Sequence, residues 1–440
     1  TKVEGEKMIA DFSNQLFSAT DARYTLNKGA SGIASNIILN ADGNIKLEGA
    51  TYINCNISDP FWEISAKEIN LLKNQKNAII KGISLKIKGK KVFSLPALRT
   101  AIGNERMTGF LAPDLKKSSK GLDISIPYYF NLSPTSDATV TPRYLGKRGA
   151  QIQGEYRYLN ESYSGTNNLE YLPSDKASDK DNRYYAKFQH QQQITKNLSG
   201  GFRMEKVSDD NYFSDMSSLI SATSTVNLPQ EANLKYSTDK LDVDLIAQRY
   251  QNLTTTSSPY ERLPSLSISH LDEYENEKGT AIYETDVNMS LTKFARNHNF
   301  IASSSQSNTT GTRFVANPSI SMPFEADYGY VKPKLTMNIR KYDLEGGQVN
   351  SKSMTIPTIS VDSGVYLDKK LEMGGKNFVQ TLEPRIFYSY TPYRNQETLP
   401  MFDTALTDLN LESLFIENQF VGGDRVIDSN QFTIAATTRF

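Results

Sequence analysis

Apolar and polar positions alternate in short runs over the first hundred or so residues. Ile37 and Leu39 form one such run, Ile45 and Leu47 another, and Asp42-Gly43-Asn44 lies between them. An Asp-Gly pair flanked by alternating runs predicts a tight hairpin, whose register puts all four side chains on one face. Trp62 and Ile64 continue that face, followed by Ile83, Leu85 and Ile87, with Lys86, Lys88 and Lys90 interleaved and directed to water. The pattern predicts one-sided β-structure over residues 1–112: a stacked sheet, a jelly roll or an open groove.

The texture changes near Gly109-Phe110. Residues 121–142 read GLDISIPYYFNLSPTSDATVTP, rich in proline and aromatic residues. Pro127 falls inside a strand-like stretch, and Pro113 holds a similar position upstream. Proline donates nothing to a sheet ladder, so each marks either a kinked or edge strand or a turn at a strand end.

Beyond residue 137, alternating segments of roughly ten residues recur between polar loops. Leu241, Val243, Leu245 and Ala247 alternate with Asp242, Asp244, Ile246 and Gln248. Val287, Met289 and Leu291 repeat the pattern, as do Leu335, Met337 and Ile339. Such segments are longer than the strands of most soluble sandwiches and suit tilted strands crossing a bilayer. Aromatics gather near segment ends, as at Tyr156/Tyr158, Tyr184/Tyr185 and Phe387/Tyr388/Tyr390, where interfacial girdles would sit. Residues 113–440 are therefore expected to form an incomplete antiparallel transmembrane β-barrel of about fourteen to sixteen strands. The final run, FTIAATTRF, ends at Phe440 without a turn, so further strands are expected downstream. Long loops are expected at 212–228 and 396–423, with a short helix over the barrel mouth within 407–420.

Composition narrows the class. A mean hydropathy of −0.49 excludes a helical membrane protein, and no apolar run is long enough to span as a helix. With 24 tyrosines and 20 phenylalanines the chain is not disordered. Lys+Arg and Asp+Glu both number 49, so no net charge recruits nucleic acid. The opening TKVEGEKMIA has no leader pattern and reads as the middle of a domain, which predicts an upstream part. Cys55 stands alone and makes no internal disulfide; it is either a small buried apolar residue or the partner of a cysteine elsewhere.

Catalytic chemistry finds little support. His190, His270 and His298 lie in unrelated segments without a second ligand at metal spacing, and neither a nucleophile elbow nor a phosphate loop occurs. Asp175, Asp179 and Asp181 miss the calcium-loop spacing and are expected on a solvated loop. We expect no enzyme activity, no cofactor and no metal.

Several separated motifs, taken in order, resemble the LptD family of outer-membrane lipopolysaccharide-assembly proteins. They include LEGATYINC (47–55) with Trp62 after it, TGFLAP (108–113) and IPYYFNLSPTSDATVTPRYL (126–145). EYRYL, EYLPSDK, VSDDNYFSD, QTLEPR, YTPYR and GGDR follow. The segment before TGFLAP, KVFSLPALRTAIGNERM, is less aromatic than the family usually shows.

The resemblance implies the C-terminal part of a periplasmic β-jelly roll over 1–112, then the N-terminal part of a large barrel over 113–440. It implies a lipid-binding groove made by Ile37, Leu39, Ile45, Leu47, Trp62, Ile64, Ile83, Leu85 and Ile87, and a lateral gate weakened by Pro113 and Pro127. It pairs Cys55 with a cysteine outside this chain. It implies transport of lipopolysaccharide to the outer leaflet, with the lipoprotein LptE as a plug and LptA as a periplasmic bridge. The barrel assembly machinery and outer-membrane lipid are the remaining partners implied. A passive outer-membrane porin is the alternative.

Overall fold

The computed structural model describes every residue except 1, 26–30, 54–61, 73–76, 102–105, 112, 119–120, 218–223, 255–257, 276, 278–280, 298–308, 346–350 and 374. The fold is all-β, with two large antiparallel sheets, and the chain divides into two compact units: residues 1–160 with 165–186, and residues 161–164 with 187–440.

The first unit opens with an eight-stranded sheet. Its strands are β1 (Lys2–Glu4), β2 (Lys7–Asp11), β3 (Leu16–Thr25), β4 (Ser31–Leu39), β5 (Ile45–Tyr52), β6 (Trp62–Leu72), β7 (Asn77–Ile87) and β8 (Lys90–Ala101). From β3 onward each strand pairs with the next, and β1 and β2 both pair with β3. The hairpin at Asp42-Gly43 forms as expected, with Ile37 opposite Leu47 and Leu39 opposite Ile45.

Strict alternation fails midway along every central strand. On one face, Ala19 is followed by Ala22 and Tyr24, Leu47 by Ala50, and Ile80 by Ile83 and Leu85. In each case two consecutive residues turn away from the apolar face before the period resumes. The register shows why. Asp21, Ser35, Gly49, Lys67 and Gly82 fall in one column across β3 to β7. Within it Asp21, Gly49 and Gly82 have φ of 47°, 59° and 61°. A left-handed residue in alternate strands reverses which side chains face inward, bending the whole sheet along that line. Glycine is required at two of these points: a Cβ would meet Ser35 Oγ at 2.6 Å from Gly49 and Lys67 Cγ at 2.7 Å from Gly82.

The opposite face is charged. Lys46, Glu48, Glu68 and Lys81 form a cross-strand ladder of ion pairs, and Lys86 pairs with Glu63 at 2.8 Å.

The second sheet begins in the first unit with β9 (Gly109–Phe110), β10 (Asp114–Ser118), β11 (Gly121–Ser125), β12 (Tyr128–Ser133), β13 (Ser136–Leu145) and β14 (Gly149–Leu159). β9 with β10, and β11 with β12, are two halves of two broken strands: β9 pairs β12, and β10 pairs β11.

In the second unit, antiparallel strands run in sequence order from Leu198–Val207 to Ser429–Arg439, several of them long, such as Gly329–Glu345 and Lys376–Thr391. Their burial is inverted relative to a soluble protein. Arg340, Thr336, Asn338, Thr358, Ser360, Ser389 and Thr391 are buried. Their neighbours Leu335, Ile359, Ile386 and Tyr390 are exposed, as are Leu234, Leu245, Leu291 and Ile434. One face of the sheet is therefore covered and largely polar, with a buried apolar cluster at Phe294, Tyr342 and Leu344, and the other is an aliphatic and aromatic surface that water would not stabilise. No helix among the described residues is long and apolar enough to cross a membrane. The connection 392–428 on one edge is long, and 194–197, 238–240 and 327–328 on the other are short.

Candidate lipid groove and seam

The bent apolar face of the first sheet encloses a groove of about 480 Å³. Ile37, Ile45, Leu47, Ile64, Ile83 and Leu85, six of the groove residues expected from the sequence, line it together. Leu39 and Ile87 share the face but not the lining, and Leu39 is 36% exposed at the strand end. Trp62 opens β6, but its side chain lies outside the described residues, as does Cys55 entirely.

Residues not anticipated add to the lining, among them Tyr24, Ala50, Tyr52, Ala66, Ile69, Leu71 and Ile80. Ala50, Tyr52, Ile69, Leu71 and Ile80 follow from the bend, which recruits the other parity of their strands. The signal was present in Gly49 and Gly82, isolated glycines within strand patterns. Tyr24 contributes its ring, while its hydroxyl donates to Thr51 O at 2.5 Å. Burial, reinforced by Tyr52, pushes that hydroxyl up to about 12, so it stays neutral. The groove thus offers hydrocarbon surface and no charge.

The same groove is lined by Phe110, Leu111, Pro113 and Ile126, which belong to the broken strands. Leu111 N–H donates to Pro127 O at 2.9 Å, but Pro127 has no N–H to return. Ile126 N–H likewise donates to Pro142 O at 3.1 Å, and again the reciprocal bond is missing. The register slips across the break: Phe110 faces Tyr128, whereas Asp114 faces Ser125, one residue off the regular ladder. Pro113 and Pro127 therefore occupy kinks inside strands, not turns at their ends. Pro142 adds a third lost donor that the sequence reading had not singled out.

The long connection 392–428 packs on the polar face of the second unit's sheet instead of overhanging it, and holds a short 3-10 turn at Glu412–Phe415. Asp424, fully buried, accepts from Arg313 Nη1 at 2.7 Å, Phe402 N at 2.7 Å and Asp403 N at 3.0 Å. Asp403 accepts from both Arg313 Nη atoms at 2.6 and 2.7 Å. Glu417 accepts from Thr336 Oγ1 at 2.9 Å and Ser360 Oγ at 2.6 Å. Phe402 stacks on Phe294 with centroids 4.3 Å apart. Burial would raise the Asp403 carboxyl, but the Arg313 contacts and Gly423 N–H outweigh it and hold it below its usual value.

Two further expectations are resolved. Asp175 is not a solvated loop residue: it is buried, accepting from Arg148 at 2.6 Å and Arg183 at 2.5 Å, so its charge is neutralised by guanidinium groups. His190 and His270 lie four strands apart, on the order of 19 Å at sheet spacing, and share no site. His298 lies outside the described residues.

Residues 181–440 match the family model described as LptD: LPS transport system D. The chain belongs to the LptD family. It is 36% identical to an LPS-assembly protein LptD of Aromatoleum aromaticum, over 93% of this chain and 51% of that protein. The LptD of Azoarcus sp. is 35% identical over 99% of this chain and 54% of its own length, and that of Thiobacillus denitrificans 34% over 100% and 59%. The chain thus spans about half the length of the curated LptD relatives it matches.

Proposed function

We propose that this chain carries lipopolysaccharide from the periplasm to the outer leaflet of the outer membrane. In this reading residues 1–112 are a periplasmic jelly-roll domain and residues 113–440 the first part of a transmembrane barrel. The acyl chains ride in the groove, where each methylene kept from water is worth about 0.8 kcal/mol. The polar chain leaves through a lateral gate next to the strands broken at Pro113 and Pro127. The exposed apolar face of the second sheet is then the surface against outer-membrane lipid. No covalent bond is made or broken.

One observation carries the proposal: the hydrocarbon-lined groove runs to Phe110, Leu111, Pro113 and Ile126, so it reaches the broken strands, where Pro127 and Pro142 return no ladder bond. The named relatives are LPS-assembly proteins, which fits a lipid cargo. On the same reading the full-length protein receives its cargo from an LptA bridge, is plugged by the lipoprotein LptE and is folded by the barrel assembly machinery. Cys55 pairs with a cysteine beyond this chain.

Photo-crosslinking residues at positions 37 and 85 of the full-length protein test the groove in cells. Lipopolysaccharide adducts are expected at both. Adducts at neither, with the protein correctly assembled, would remove the groove from the pathway.

A further inference from the structure

The connection 392–428 is tied to the strand Gly329–Glu345 at two places. At one, Tyr342 OH donates to Asp424 Oδ1 at 3.3 Å, beside the pairs that Arg313 makes with Asp403 and Asp424. At the other, Thr336 Oγ1 donates to Glu417 at 2.9 Å, and Lys334 pairs with the same carboxylate at 3.5 Å. Arg340 lies between these ties, on the face it shares with Thr336, Asn338 and Tyr342, and only 2% of it is exposed. Its side chain donates to neutral acceptors alone: Nη1 to Asn317 Oδ1 at 2.7 Å and to Ile339 O at 3.1 Å. Its Nε has no hydrogen-bond partner, and among the described residues no carboxylate pairs with it. Its cross-strand neighbours, Val315 and Met354, are apolar.

We propose that residues 392–428 form a releasable strap, which the ion pairs of Arg313 close and the charge of Arg340 opens. A guanidinium covered without a counter-ion carries its desolvation cost undiminished, and that cost recurs each time the strap closes. Closure therefore depends on Arg313 outweighing Arg340. Apolar burial adds only part of the balance. Leu399, Phe402 and Val426 are buried, but Met401, Leu406, Leu409, Leu411 and Val421 of the same connection are exposed. When the strap lifts, Arg340 regains water, and Thr336, Asn338, Thr358 and Ser360 are uncovered with it. A connection built as a fixed lining would carry an apolar residue at position 340, because replacing a buried charge by a hydrophobic side chain of similar volume is often stabilising. The inference concerns the strap alone and is independent of the cargo proposed above.

The test compares Arg340→Met and Arg340→Lys with the parent in the full-length protein in detergent. Limited proteolysis within residues 392–428 is followed at low protease, where the cleavage rate tracks the population of the lifted state. Arg340→Met removes the charge and keeps a long side chain; Asn317, half-buried, finds water in place of the lost donor. Cleavage is expected to slow by about tenfold, equivalent to about 1.4 kcal/mol. Arg340→Lys keeps the charge and should be cut at close to the parent rate. Unchanged or faster cleavage of Arg340→Met overturns the proposal, because Arg340 would then be neutral to closure or hold the strap down. Equal slowing in Arg340→Lys also overturns it, since charge would not be the cause. Failure of Arg340→Met to assemble does the same: a side chain that opposes the packed state cannot be required for it.

Discussion

Replacing Pro113 and Pro127 together with alanine is expected to slow lipopolysaccharide delivery by stiffening the broken strands. At position 127 the regained N–H would complete the pair with Leu111, whose own N–H already donates across at 2.9 Å. One such bond is worth about 1 kcal/mol net. At position 113 a second bond forms if the one-residue register slip heals, for a combined effect of about 2 kcal/mol. The equilibrium between closed and open strands then shifts by about fivefold to thirtyfold. Proline also stiffens the unfolded chain, by about 0.4–1 kcal/mol per site, but that effect cancels when both states compared are folded. The assay is the rate at which newly made lipopolysaccharide reaches the surface of cells carrying the full-length variant at normal abundance, with hydrogen exchange followed at the amides of residues 110, 111, 126 and 128. Slower delivery and slower exchange are expected. Unchanged delivery despite slowed exchange would refute the link between the broken strands and lipid passage.

Three further outcomes are expected. Asp424→Ala removes a buried acceptor from Arg313, Phe402 N and Asp403 N, a change of about 3–5 kcal/mol for a broken buried pair; protease should then cut within residues 392–428 of the otherwise folded protein. Gly82→Val puts a branched side chain at φ 61° against Lys67, costing at least about 1–2 kcal/mol, and should lower the melting temperature of the first sheet as read by circular dichroism. The lowered Asp403 carboxyl gives the anchor of this connection an acid limit. Its contribution is fully present above the ordinary aspartate value of 3.8 and is lost as pH falls through the lower folded value, so cleavage by pepsin within 392–428 should rise only in strong acid.

Much of this was legible from alternation alone. The Asp42-Gly43 hairpin, the groove residues Ile37, Leu47, Ile83 and Leu85, and the outward apolar faces around Leu245, Leu291 and Leu335 all follow from a period of two. The rest of the groove was hidden because Asp21, Gly49 and Gly82 reverse the period in mid-strand, so Ile69, Leu71 and Ile80 fall out of phase with the residues they join. The polar anchors were hidden for a different reason. Asp175, Arg313 and Asp424 are charged residues in loops or strands, which read as solvated, and only the fold brings opposite charges together across 111 residues of sequence. The kinks at Pro113 and Pro127 were visible as prolines, but choosing between strand breaks and turns required the register of β9 to β12.

The central claim is that one continuous hydrocarbon path joins the groove to the broken strands. Spin labels at Leu47 and Ile126 of the full-length protein, in detergent, test it most directly. On adding lipopolysaccharide, both labels should become immobilised and report a less polar environment, at the same lipid concentration. A response at Leu47 with none at Ile126 at any concentration would contradict the claim, because the groove would then end before the seam.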